Sequence, residues 1–376
     1  MTITAPATLG LLGGGQLGRF FVEAAHTLGY SVWVLDPDPG SPAGRIADRH
    51  LVAGYEDDAA LAALAGGCAA ITTEFENVPA PTLERLARSV RVRPSAAAVA
   101  TCQDRIAEKS FLRDNGLPHG PFAIIRSEAD LAAAPAPLFP GVLKVARLGY
   151  DGKGQVRIAT PLEARSAWRE LGDAPCVLEA MLPLDCEVSV ILARDAQGKT
   201  ACFPLSENSH RRGILDVSIA PARVSAQLAE EARDCALRIA AALDYVGTLG
   251  VEFFVSGGTL YVNEMAPRPH NSGHYTLDAC ATSQYEQQVR ALCGLPLGSP
   301  DQAGAAVMVN LLGDLWADGE PDWDLLRSRS GLHLHLYGKS TARPGRKMGH
   351  FTVVGRDLPA VLEAALDARA AIGIRD

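Results

Sequence analysis

The eight cysteines of the chain form no C-x-x-C pair. They stand singly, at Cys68, Cys102, Cys176, Cys186, Cys202, Cys235, Cys280 and Cys293, with no histidine at a zinc-ligand spacing. That pattern argues against a zinc ribbon or a disulfide scaffold and fits reduced thiols filling small core positions in a cytoplasmic protein. A long basic run is also missing. Thirty-five Lys and Arg against 43 Asp and Glu leave a formal net charge of -8, which argues against a nucleic-acid partner. No apolar stretch approaches about 18 residues, and the first ten residues carry neither a basic segment nor a long apolar one, so neither a membrane span nor an export signal is expected. There is no internal repeat and no low-complexity tract beyond alanine-rich helices. A length of 376 residues suits two or three domains of about 100 to 200 residues each.

What is present begins with an alternation. Apolar runs at 7–13, 30–36 and 69–75 are separated by helical patterns at 16–28 and 58–65, the β-α-β-α-β order of a parallel, doubly wound sheet with ligand contacts at its strand carboxyl ends. "QDRIAEKSFLRDNG" (103–116) reads as an amphipathic helix stopped by Gly116, and the prolines of "LPHGPF" then mark a domain boundary nearby. From 123 to about 195 short strands surround one helix near 161–171, as in a small antiparallel lobe. A helix at 225–242, a hairpin and a small terminal module of "LHLHLYG" and "ARPGRKMGHFTVVG" complete the chain.

Several constellations carry chemistry. "LLGGGQLGRFF" (11–21) spaces Gly13, Gly15 and Gly18 as G-x-G-x-x-G, which lets backbone N–H groups at a helix start approach an anion, a dinucleotide or another phosphate. "VLKVARLGYDGKGQVRI" (142–158) sets Gly149, Gly152 and Gly154 between two strands with Lys144 and Lys153 at hand, a second phosphate-gripping arrangement whose bland alternative is a flexible hairpin. In "GVEFFVSGGTLYVNEMAPRPHNSGH" a three-residue turn would put Glu252 and Glu264 on one face, and a two-residue turn on opposite faces. Convergent with Asn263, the two carboxylates would make a hard oxygen site suited to Mg²⁺; otherwise they are solvated strand-end acids. Glu179 to Leu182 with Glu187 could read an adenine and a ribose, and Glu74, Glu76 and Asn77 end an apolar strand where ligands gather. His333 and His335 share a strand face, expected to be solvated rather than metal-binding. Arg343, Arg346 and Lys347 surround a Pro-Gly turn fit for a phosphate or carboxylate.

Lys144, "GYDGKGQ", "EAML" with Glu187, Glu252 and "NE" (263–264), in this order, resemble an ATP-grasp ligase. Together with "GGGQLGRF", "TTEFENVP", "QDRIAEK", "NEMAPRPHNSGH" and "RPGRKMGH", the sequence is similar to the N5-carboxyaminoimidazole ribonucleotide synthetases of purine synthesis, from residue 13 to residue 350. The resemblance implies an N-terminal Rossmann-like substrate domain (1–104), an ATP-grasp domain (105–298, lid about 118–182) and a C-terminal domain (299–376). It implies that ATP, bicarbonate and 5-aminoimidazole ribonucleotide react to give N5-carboxyaminoimidazole ribonucleotide, ADP and phosphate, in a homodimer. By the same resemblance, ATP would meet Arg105, Lys144, Gly149, Tyr150, Asp151, Gly152, Lys153, Gly154, Gln155, Glu179, Ala180, Met181, Leu182, Glu187, His210, Asn263 and Glu264. Glu252 and Glu264 would hold Mg²⁺ or Mn²⁺. Tyr150, Asp151, Arg268, His270 and Asn271 would surround bicarbonate and its carboxyphosphate, with Asp151 or His270 accepting the amine proton. Gly15, Gln16, Leu17, Glu74, Lys339, Arg346 and Lys347 would hold the ribonucleotide, its 5′-phosphate on the glycine turn. The rival readings are a sister ATP-grasp carboxylase or transformylase, a dinucleotide oxidoreductase resting on the first glycines and Asp36, and a non-catalytic ATP-binding regulator.

Overall fold

The computed structural model describes residues 1–149 and 153–375 and arranges them around three sheets. In the first, the strand Thr8–Leu12 lies between Ser31–Leu35 and Ala70–Thr73, all parallel, with the short strands Arg49–Leu51 and Arg91–Val92 added at the edges. These two short strands have no periodic signal of their own and exist by pairing with longer neighbours. One face buries Leu9, Leu11, Phe21 and Val32; the other buries Leu12, Leu35, Leu64 and Ile71. The alternation along Thr8–Leu12 therefore feeds two cores, as a sheet covered on both sides requires. The helix Gln16–Thr27 leaves from the carboxyl end of the central strand, where the connections diverge to either side.

The second sheet is the antiparallel lobe. Its strands run in the order Phe122–Ile125, Cys176–Ala180, Gly141–Val145, Gln155–Ile158, covered by the helix Pro161–Glu170 through Ala164, Ala167 and Trp168. The helix Arg105–Asp114 precedes it, started by Asp104, whose carboxylate accepts the Ile106 and Ala107 N–H groups.

The third sheet has nine strands and spans the rest of the chain. Cys186–Arg194 pairs with Gly247–Ser256, which pairs with Thr259–Ala266; on its other side stand Ser206–Arg211 and then Ile214–Ala220. Ala305–Leu312 continues the ladder beside Ile214–Ala220, followed by Lys347–Gly355 and Leu332–Leu336. The terminal segment thus extends the sheet that carries the Glu252 hairpin. Among the described residues no helix is long and apolar enough to cross a membrane.

Candidate functional site

A cavity of about 620 Å³ separates the antiparallel lobe from the nine-stranded sheet. Val142, Leu215 and Phe254 give it apolar walls, with Met181, Leu182 and Leu184 on the connection between the two layers. The N–H groups of Ala180 and Met181 are already donated to Pro121 and Pro140. Leu182 lines the cavity, and among the described residues its N–H has no acceptor. The remaining wall is polar: Arg105, Lys144, Gln155, Glu179, Glu187, His210, Glu252, Asn263, Glu264, Arg268, His270, Asn271 and Lys347 all reach it.

The two carboxylates meet by a route the sequence did not suggest. The turn between their strands contains only Gly257 and Gly258, both at positive φ, with Ser256 paired to Thr259. Such a turn alone would put Glu252 and Glu264 on opposite faces. A β-bulge shifts the register between Glu252 and Phe253, so that Phe253 pairs with Val262 but Glu252 pairs with Glu264, with Asn263 as the extra residue. Directly paired residues share a face, and both carboxylates enter the cavity. Burial and the neighbouring Glu264 push the Glu252 carboxyl up to about 7. Two half-buried carboxylates that repel each other, beside an amide, form a donor set that fits a hard divalent cation.

Cations line the opposite side. Lys144 Nζ lies 3.1 Å from one Glu179 oxygen, and Lys109 Nζ lies 3.3 Å from the other. Burial would raise the Glu179 carboxyl, but Lys109, Lys144 and Arg105 outweigh it and hold it down at about 2. Burial lowers the Lys144 ammonium despite the pull of Glu179. Both terminal nitrogens of Arg105 stand 3.4 Å from a Glu264 oxygen. His210 sits 3.1 Å from Glu187; burial opposes its protonation, but Glu187 and Glu252 raise it above its ordinary value.

In the "RPHNSGH" loop Arg268, His270 and Asn271 are each held by hydrogen bonds. Arg268 Nε donates to Glu76 at 2.6 Å and Nη1 to the Pro269 carbonyl at 3.0 Å. Burial, reinforced by Arg268 and Lys347, drives His270 well below its ordinary value, so the ring is neutral. Its Nδ1 accepts the Ser272 N–H at 3.3 Å, which leaves the ring proton on Nε2, 3.3 Å from Glu252. The amide of Asn271 exchanges hydrogen bonds with Asn310 at 3.1 and 3.0 Å. Behind it His274 stacks on His350 at 4.5 Å and His350 on His335 at 4.6 Å, with Phe20 set edge-on. His333 and His335 are therefore not a simply solvated pair: both turn to Asp278, at 3.7 and 3.0 Å. Asp278, His335 and His350 are close enough to suggest a metal, but rings 20° from parallel aim their in-plane lone pairs side by side rather than at one point.

The first glycine turn is lined by carboxylates of the chain itself. Its N–H groups do hold an anion, but that anion is the chain's own: Glu74 accepts from Gly15 at 2.8 Å and from Gly18 at 3.0 Å, and Asp36 accepts from Gly14 at 2.7 Å. Glu74 so caps the helix Gln16–Thr27, which has no side-chain cap of its own. A Cβ on Gly15 would stand 2.9 Å from the Glu74 carboxylate, so the glycines serve its close approach. Gly15, Gln16, Leu17, Glu74, Lys339 and Arg346 lie off the cavity wall, as do Gly149, Lys153 and Gly154. Tyr150, Asp151 and Gly152 fall outside the described residues. The glycine turn and the basic turn still converge, because Gly14 accepts from Ala43 at 2.9 Å and Arg45 donates to Gly338 at 2.9 Å, next to Lys339. Burial and its neighbour Arg343 lower Arg346, as expected where like charges crowd.

Comparison with known proteins agrees with this geometry. Residues 6–103 match the ribonucleotide synthetase preATP-grasp domain, 110–285 the ATP-grasp domain and 306–364 the phosphoribosylaminoimidazole carboxylase C-terminal domain. An N5-carboxyaminoimidazole ribonucleotide synthase of Brucella melitensis is 49% identical over 350 residues, covering 92% of this chain and 96% of that protein. The chain belongs to the N5-carboxyaminoimidazole ribonucleotide synthase family. A crystal structure of an ADP complex of such a synthetase shares 40% identity, with a TM-score of 0.92 and coverage of 98% of this chain and 97% of the other. The Aspergillus clavatus synthase in complex with ADP and 5-aminoimidazole ribonucleotide shares 32%, with a TM-score of 0.89 and 98% coverage of both.

Membership in this synthase family makes the chain an ATP-dependent ligase with an ATP-grasp fold, and the cavity lies where its two layers meet. Sequence reasoning missed some residues on and behind its wall. Lys109 was hidden in an amphipathic helix, although "QDRIAEK" contained it. Arg157 faces the cavity from the lobe, and Arg212 with Gly213 from the turn between two central strands. Isolated surface arginines give no sequence signal. Glu76, only a secondary suggestion from the sequence, proves to be the direct partner of Arg268.

Proposed function

We propose that this cleft carboxylates 5-aminoimidazole ribonucleotide to N5-carboxyaminoimidazole ribonucleotide, consuming ATP and bicarbonate and releasing ADP and phosphate through carboxyphosphate. The observation that carries the reading is the facing pair Glu252 and Glu264 opposite Lys144 and Arg105 in one cavity with an apolar slot. The slot would take the adenine, with Leu182 N–H as its backbone donor and Glu187 toward the ribose. Lys144 and Arg105 would offset phosphate charge as weakly nucleophilic bicarbonate approaches the γ-phosphorus, a step limited by positioning and repulsion. Glu252, Glu264 and Asn263 would hold Mg²⁺ or Mn²⁺, which supplies further neutralisation between the phosphates. Arg268, oriented by Glu76, offers a planar donor pair to bicarbonate. His270 has both ring nitrogens engaged, which favours Asp151 as the acceptor of the amine proton. With Glu74 filling the glycine turn, the 5′-phosphate is assigned to Lys339, Arg346 and Lys347.

ADP release tests the reading. Turnover should require bicarbonate and the ribonucleotide together, with formate inactive in place of bicarbonate and no change in NADH absorbance. Ribonucleotide-independent ADP release would instead point to a different acceptor. The eight free thiols suit a reducing cytoplasm, and the family resemblance suggests a homodimer, which light scattering would check as twice the chain mass.

A further inference from the structure

Lys109 is 99% hidden from solvent, an unusual place for an ammonium group without a purpose in the charge balance. It projects from the helix Arg105–Asp114 to a point where three elements meet. Its Nζ donates to the Asn263 carbonyl at 3.0 Å and the Val262 carbonyl at 3.4 Å on the central sheet, and faces Glu179 of the lobe at 3.3 Å. Glu179 has one oxygen on Lys109 and the other on Lys144. The adjacent Glu108 feels the Lys109 charge but is turned to the central sheet. Its Oε1 accepts the Met265 N–H at 2.6 Å, and burial pushes its carboxyl up to about 8.

We propose that Lys109 is a positioning residue for the nucleotide phosphates, sharing Glu179 with Lys144 so that a net positive charge remains for ATP. Two ammonium groups and one carboxylate leave one positive charge in this buried triad. Without Lys109, Glu179 and Lys144 neutralise each other, and the polyphosphate meets one positive charge fewer beside Arg105. The inference rests on the cleft being the ATP site.

Charge balance predicts an order that packing does not. Near pH 7.5, Lys109→Met should raise KM for ATP about tenfold, with kcat and the ribonucleotide KM changed by less than about threefold. Adding Glu179→Gln restores the net charge, so the double variant should recover most of the loss in ATP KM. If Lys109 were only a structural prop, removing a second buried group would leave the double variant as impaired as the single one or worse. Lys109→Gln, which keeps a donor for the Asn263 carbonyl, covers the case in which the methionine variant does not fold. An unchanged ATP KM in folded Lys109→Met or Lys109→Gln, or a double variant no better than the single, overturns the proposal. Absence of saturable ATP turnover in the unaltered protein would instead overturn the assignment of the cleft.

Discussion

Glu252 and Glu264 illustrate how much rests on single side chains. Glu264→Ala should abolish ATP turnover and leave ribonucleotide binding largely intact, which ADP release and equilibrium binding would show separately; unchanged turnover would remove the metal site from the scheme. Glu252 makes a second, independent prediction through pH. Its carboxyl moves from the usual 4.5 to about 7, so the folded chain binds that proton more tightly than the unfolded chain does. The stability contributed is full below the unfolded value and lost as pH rises through 7, amounting to about 3 kcal/mol across the window. Glu252→Gln should therefore flatten the fall in melting temperature between about pH 5 and pH 7.5, and parallel curves for the two proteins would contradict this. At this scale the site was largely legible, because Lys144, Glu252, Glu264 and Arg268 belong to dense local motifs. Lys109 was not, since its role comes from Glu179 and Asn263, 70 and 154 residues away in the sequence.

At the scale of elements, the Glu252 hairpin is set by two opposing irregularities. A two-residue glycine turn sends the pair to opposite faces, and the bulge at Asn263 returns them to one. Deleting Asn263 should straighten the ladder and remove its amide while leaving Glu264 opposite Glu252, and should lower ATP turnover by about tenfold, with the strand retained by circular dichroism. Alternation alone cannot reveal a bulge, because the pattern of apolar residues is compatible with either turn length. The parallel N-terminal sheet was clearer, with three apolar runs and two helices in order. Its glycine turn was legible as an anion seat but not as one already filled, since Glu74 arrives from a strand more than 50 residues later.

At the scale of the whole molecule, the sheet does not stop at the end of the ATP-grasp match. Ile214–Ala220, buried along nearly all its length, needs Ala305–Leu312 as its neighbour, and Asn271 needs Asn310. A chain ending at residue 298 should expose that apolar edge and aggregate; a soluble monomer by sedimentation would argue that the terminal strands are dispensable. This closure was not legible, because strand order follows from pairing across the chain and the terminal strands read as a module of their own.

The same continuity bears on how the protein is made. Val289, Leu292 and Cys293 pack beneath Leu9 and Leu11, and the Ile3 N–H bonds to the Cys293 carbonyl. A ribosome therefore releases the first strand long before the helix that covers one of its faces, and the central sheet waits longer still for residues 305–355. Neither core can be completed during most of translation, so the nascent chain carries unprotected apolar surface until its last quarter emerges. A sheet closed by its final strands is thus exposed to aggregation while the chain is being made.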